Sequence, residues 1–119
     1  GRLRRWLEGE ARQHFVTDLA HYCARAGQPV PKLALSNARR RWVSCSTSGT
    51  VRLNWRLVMA PDFVRRSVVA HEVAHLVHFD HSPCFHALLR ELYEGDIAAA
   101  NAWLGRGGRE LYRWFGEVK

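Results

Sequence analysis

Cysteine is scarce in this chain. Cys23, Cys45 and Cys84 are the only three, widely spaced and never in a CxxC pair, which argues against both a disulfide framework and a thiolate zinc finger. Any metal must therefore lean on histidine, of which there are 7. Long apolar runs are missing as well. No stretch approaches the ~18 apolar residues of a membrane span, and the opening dozen residues lack the apolar segment of a signal peptide, so a cytoplasmic protein with no membrane partner is expected. Lysine is nearly absent: only Lys32 and Lys119 stand among 18 basic residues, against 11 acidic ones, for a net charge of +7. Such an arginine-rich surface attracts nucleic acid or acidic partners without specifying either. Glycine-rich phosphate loops are absent, which weakens a nucleotide-binding reading. What remains is 119 residues, 47% hydrophobic, enough for one domain over 1–119 with its own core.

Apolar residues at Leu3, Leu7, Ala11, Phe15, Leu19, Tyr22/Cys23 and Ala26 have helical spacing, with Arg4, Arg5, Glu8, Arg12, Asp18 and Arg25 assigned to the opposite, wet face. Gly27, Pro29 and Pro31 stop that helix. From Lys32 to Trp55 the period shortens to two. A short strand at Leu33–Leu35 is expected, then a hairpin in which Val43 and Cys45 pair with Val51, Leu53 and Trp55 around a turn at Thr47-Ser48-Gly49. Pro61-Asp62 opens a second helix with a stripe of Val69, Val73, Leu76 and Val77. Ser82 as N-cap and Pro83 at the first helical position open a third, with a stripe of Phe85, Leu88, Leu89 and Leu92. Two shorter helices are expected at Asp96–Leu104 and Arg109–Phe115. The order predicts an α+β fold: N-terminal helix, small antiparallel sheet, then further helices.

His71-Glu72-Val73-Ala74-His75 spells HExxH inside the second helix. Histidines at i and i+4 share a helix face, so their imidazoles can converge on one zinc ion, and Glu72, about 100° round the axis, can reach a metal-bound water as general base. A catalytic zinc takes a third protein ligand. His78 lies on the same face but about 10.5 Å along the axis from His71, too far to close a tetrahedron. His81 falls where the chain reverses before Ser82 and is the favoured candidate, with Asp80, His86, Glu91 and Glu94 as alternatives. The His71, His75, His81 spacing equals that of metzincins, but His78 replaces their glycine and the sole methionine, Met59, precedes the motif.

The segments RWVSCSTSGTVRLNWRLVMAP and VVAHEVAHLVHFDHSPCFHALL resemble the YgjP-like metallopeptidases, small zincins related to SprT-like and WLM proteases. The resemblance runs from about Arg41 through the third helix and implies a zincin-like α+β core, a zinc (Zn2+) held by His71, His75 and His81, Glu72 as the catalytic glutamate, and an LNW strand beside the active-site helix. Val43 stands where the family pattern commonly has glycine, and His86 where it commonly has an aromatic residue. Family members usually carry a further N-terminal β-rich portion, which makes residues 1–119 read as the C-terminal part of a longer protein.

The leading function is a zinc-dependent metallopeptidase (a hydrolase) acting on peptides or unfolded protein. Its oxyanion stabiliser is open among His78, His86, Arg52, Tyr93 and Tyr112. The alternatives are a metal-dependent nucleotide pyrophosphate hydrolase and a nucleic-acid-associated SprT-like protease. Because the arginines are scattered, nucleic-acid binding is expected to be weak and non-specific. Cys45 and Cys84 read as buried small apolar residues, and His14, Asp18 and His21 as a solvated helix face rather than a second metal site.

Overall fold

The computed structural model describes residues 1–37, the backbone of 43–45, and residues 50–106. The expected turn at 47–49 and the last expected helix lie outside the described residues. The first helix, α1, spans Arg2–Ala26 and ends on Gly27 at φ 67°, a left-handed residue. The Gly27 and Gln28 amides donate to Ala24 and Cys23 carbonyls, so glycine closes the helix at a backbone angle that a side chain would strain. Three strands follow: β1 (Lys32–Ser36), β2 (Val43–Cys45) and β3 (Thr50–Asn54).

The sheet corrects the all-antiparallel expectation. Its order is β1-β3-β2; β2 pairs antiparallel with β3, Ser44 opposite Arg52, but β1 runs parallel to β3 with Leu33 opposite Val51. The LNW strand is thus the central one, and β2 at the edge runs alongside the helix that follows. Trp55 does not continue β3. Asn54 accepts the Arg56 amide on its side chain and starts a 3-10 turn over Trp55–Met59, because an asparagine side chain offers the backbone an alternative to the ladder.

Helix α2 spans Asp62–Val77, α3 Pro83–Leu92 and α4 Ile97–Arg106. The core gathers Phe15, Leu19 and Tyr22 of α1, Val51 and Leu53 of β3, Trp55 and Leu57 of the 3-10 turn, Val69 and Val73 of α2, and Phe85 of α3. Helix α2 is buried more widely than its expected stripe: Val64, Val68, Ala70, Glu72 and Ala74 are all buried, while Val77 is exposed. Cys23 is buried, but Cys84 is exposed, contrary to expectation. No helix among the described residues is long and apolar enough to cross a membrane.

Asp18 is a second correction. It is buried, not on the wet face, and its carboxylate accepts from Arg65 Nε of α2 at 2.7 Å, while Arg65 also donates to Asp62 at 2.7 Å. The bond clamps α1 to the helix carrying HExxH. Asp18→Ala leaves the Arg65 guanidinium buried with only the exposed Asp62, and should lower unfolding free energy by about 3 kcal/mol. A shift in urea midpoint worth less than about 1 kcal/mol would show that the clamp contributes little.

Candidate metal centre

The i, i+4 spacing on α2 brings His71 and His75 together, with ring centroids 4.8 Å apart. Helix α2 then stops. His78 is its C-cap in extended conformation, its amide still bonded to the Ala74 carbonyl. The chain turns through Asp80 and His81 into α3, where the Ser82 hydroxyl accepts the Phe85 amide as an N-cap. This reversal returns His81 over the pair: ligand atoms of His71, His75 and His81 all lie within 4.8 Å of one another. Among the described residues they form the one such group. Asp80, His86, Glu91 and Glu94 do not join it, and Glu94 instead accepts from the Tyr22 hydroxyl at 3.1 Å.

The nearest nitrogens, His75 Nε2 and His81 Nε2, are 3.1 Å apart. Two nitrogens held tetrahedrally at the ~2.0–2.1 Å of a zinc bond would be separated by roughly 3.3–3.4 Å, so this pair already stands near the separation a shared zinc requires. His75 Nδ1 lies 3.1 Å from the His78 carbonyl oxygen. A carbonyl only accepts, so Nδ1 carries the proton and Nε2 presents its lone pair to the other two rings. His71 and His75 are half-buried and His81 exposed, which leaves the group open on one side.

Sequence reasoning counted Phe85 only as a member of an apolar stripe. It is the fully buried floor of the site. Its ring stacks on His75 with centroids 4.4 Å apart and meets His71 and His81 edge-on, each at 5.0 Å. One aromatic thus fixes the orientation of three imidazoles. The Ser82-Pro83 helix start was the available signal, since it sets Phe85 one turn inside α3.

Burial, reinforced by the neighbouring His75, His81 and His86, pushes the His71 pKa down to about 4, so this imidazole is neutral at physiological pH, as a ligand must be. Burial likewise lowers His75. Glu72 moves the other way: burial raises its carboxyl to about 7, and its Oε2 has no hydrogen-bond partner among the described residues. A buried carboxylate oxygen without a partner calls for a proton or a donor. Three converging imidazoles, one of them next in sequence to that carboxylate, suit a borderline divalent cation of the zinc type, so the residues present fit such a metal. Of the oxyanion candidates, Tyr93 is committed to the Phe63 carbonyl at 2.6 Å and Arg52 lies exposed on the central strand. Tyr112 lies outside the described residues. His86 flanks His81, rings 6.2 Å apart.

No curated protein and no solved structure matches this chain significantly. A family model does: the YgjP-like metallopeptidase domain matches residues 1–106. With every described helix and strand inside that span, the chain belongs to the YgjP-like metallopeptidase family.

Proposed function

We propose that this metallopeptidase-family chain is a zinc-dependent peptidase in which His71, His75 and His81 hold the metal and Glu72 is the general base. The convergence of the three imidazoles, one of them next in sequence to a buried carboxylate whose Oε2 has no partner among the described residues, carries this reading. Zinc held there by His71, His75 and His81 would supply a Lewis acid and lower the pKa of water toward neutrality. Glu72 would be the proton carrier of the reaction, taking a proton from the attacking water and passing it to the leaving amine. The burial that raises its pKa favours the protonated form it holds between these two transfers. The His78 carbonyl keeps the His75 tautomer fixed, and Phe85 closes the site from below. Strand β2, at the sheet edge, offers main-chain groups to an extended peptide or unfolded protein segment.

Zinc-loaded protein should cleave members of a denatured-protein panel and leave nucleoside triphosphates intact. Triphosphate hydrolysis without peptide cleavage would replace this reading with the pyrophosphate hydrolase.

The basic surface is secondary to this chemistry. Arginines sit on α1, at 39–41, on α2 and in the tail rather than on one element. Binding to duplex or single-stranded DNA should therefore be weak and should vanish above physiological salt, because counterion release is its source, while peptide cleavage persists. Cleavage that appears only in the presence of DNA would give the nucleic-acid-directed protease the lead.

A further inference from the structure

A cavity of about 260 Å³ opens between α2, α3 and α4. Its walls are Ser67 and Val68 of α2, Leu89 of α3, and Ile97, Asn101 and Leu104 of α4. Two further residues tie it to the metal centre: His71 lines both, and His86, whose ring flanks His81, stands between them. We propose that this cavity is a substrate subsite that takes one uncharged apolar side chain, of leucine to phenylalanine size, from the residue next to the bond being cleaved. The proposal rests on the peptidase reading above.

Size, lining and position all favour that occupant. Pockets that enclose drug-sized ligands run to roughly 300–1,000 Å³, so this one suits a single side chain. Val68 and Leu89 are buried and form its interior, and Ile97 and Leu104 are half-buried. The polar residues His86 and Asn101 are exposed, placing them at the rim. Among the described residues no Asp, Glu, Lys or Arg lines it, so a charged side chain entering would lose its water and gain no counter-charge from them. An apolar one would complete the contacts of Val68, Leu89, Ile97 and Leu104 and displace water from them. Because His71 is shared, a side chain seated here belongs to a residue whose main chain passes the three imidazoles.

The test uses zinc-loaded full chain and three compounds that differ only in side chain, N-acetyl-leucine, N-acetylglycine and N-acetyl-lysine hydroxamate, with affinities measured by titration calorimetry. The leucine compound should bind roughly 10- to 100-fold more tightly than the glycine compound, the range expected for burying one such side chain. Asn101→Trp, at the exposed rim, should bring that ratio within about threefold by filling the mouth. Asn101→Asp, nearly isosteric and therefore safe for folding, should shift preference about tenfold toward N-acetyl-lysine hydroxamate. A wild-type ratio within threefold, or a ratio unchanged in both variants, overturns the subsite while leaving the metal centre standing. Failure of both the leucine and the glycine compound to bind zinc-loaded protein overturns the metal-centre reading and the subsite with it. Side-chain discrimination without any peptide cleavage overturns the peptidase reading, and with it the placing of the pocket next to a cleaved bond, while the pocket's preference for an apolar side chain stands.

Discussion

Glu72→Gln should lower kcat of the zinc-loaded protein by about 10²- to 10⁴-fold, the range associated with loss of a general base, while zinc content stays at the wild-type level. The amide keeps the length and shape of the side chain but cannot take a proton from water. Residual turnover within a few fold of wild type would remove Glu72 from the mechanism. The same substitution carries a second, independent readout in metal-free protein. A folded-state pKa of about 7 against an ordinary 4.5 means that the folded chain binds more protons than the unfolded one between those values, so wild-type stability falls as pH rises from 4.5 to 7. The stability difference between Glu72→Gln and wild type should therefore grow across that window by on the order of 3 kcal/mol and stay flat outside it. Working with slopes cancels the constant cost of burying an amide. His71 contributes the opposite trend: its pKa of about 4 against 6.5 makes the unfolded chain the better proton binder, so stability is lost as pH falls from 6.5 to 4. In wild type these two groups oppose one another between pH 4.5 and 6.5. In the glutamine variant the histidine trend, to which the lowered His75 adds, is unopposed, and stability should climb with pH through that interval. Parallel urea-denaturation profiles for the two proteins would place the carboxyl in an exposed setting instead.

His81→Ala should weaken zinc binding by more than 100-fold. Loss of an outer partner of a metal ligand typically costs 10- to 100-fold, and His81 is assigned as a ligand itself. His78→Ala makes the instructive control. His78 contributes its backbone carbonyl to the His75 Nδ1 proton, and alanine keeps that carbonyl, so this variant should retain zinc within a few fold. Competition against a chromophoric chelator measures both. Equal retention by the two variants would sink the assignment of His81, and equal loss would show that the His78 ring also acts at the site.

The elements that sequence made legible are those governed by neighbours along the chain. Gly27 and the Ser82-Pro83 pair mark helix ends by backbone conformation and capping alone, and HExxH marks its helix face through a four-residue interval. What escaped depended on partners far away in sequence. Asp18 looked like part of a polar face because its reason for burial, Arg65, lies 47 residues on. The parallel partnership of β1 with β3 was hidden because alternation within a strand reports which face is wet but not the direction of its neighbour. Trp55 was assigned to a strand although Asn54, a good capping residue, stood immediately before it; there the signal was local and was outweighed by the alternation. The site divides the same way. Two candidate ligand positions follow from the HExxH interval and a third from the turn after it, while the aromatic floor under all three emerges only when α3 packs against α2, and the burial of Glu72 is not written in the interval at all.

The Phe85 floor has a consequence for the order in which this protein matures. Phe85 belongs to the same apolar core as Phe15, Tyr22 and Val73, so the imidazoles rest on a core held by apolar contacts among α1, α2 and α3. A zinc finger, by contrast, folds only as its metal arrives. Here folding should come first and metallation second: a chelator should strip activity while far-UV circular dichroism is preserved, and added zinc should restore it without a refolding lag. A folded pool of this chain would then respond to changes in free zinc on the timescale of ion binding, not of protein synthesis.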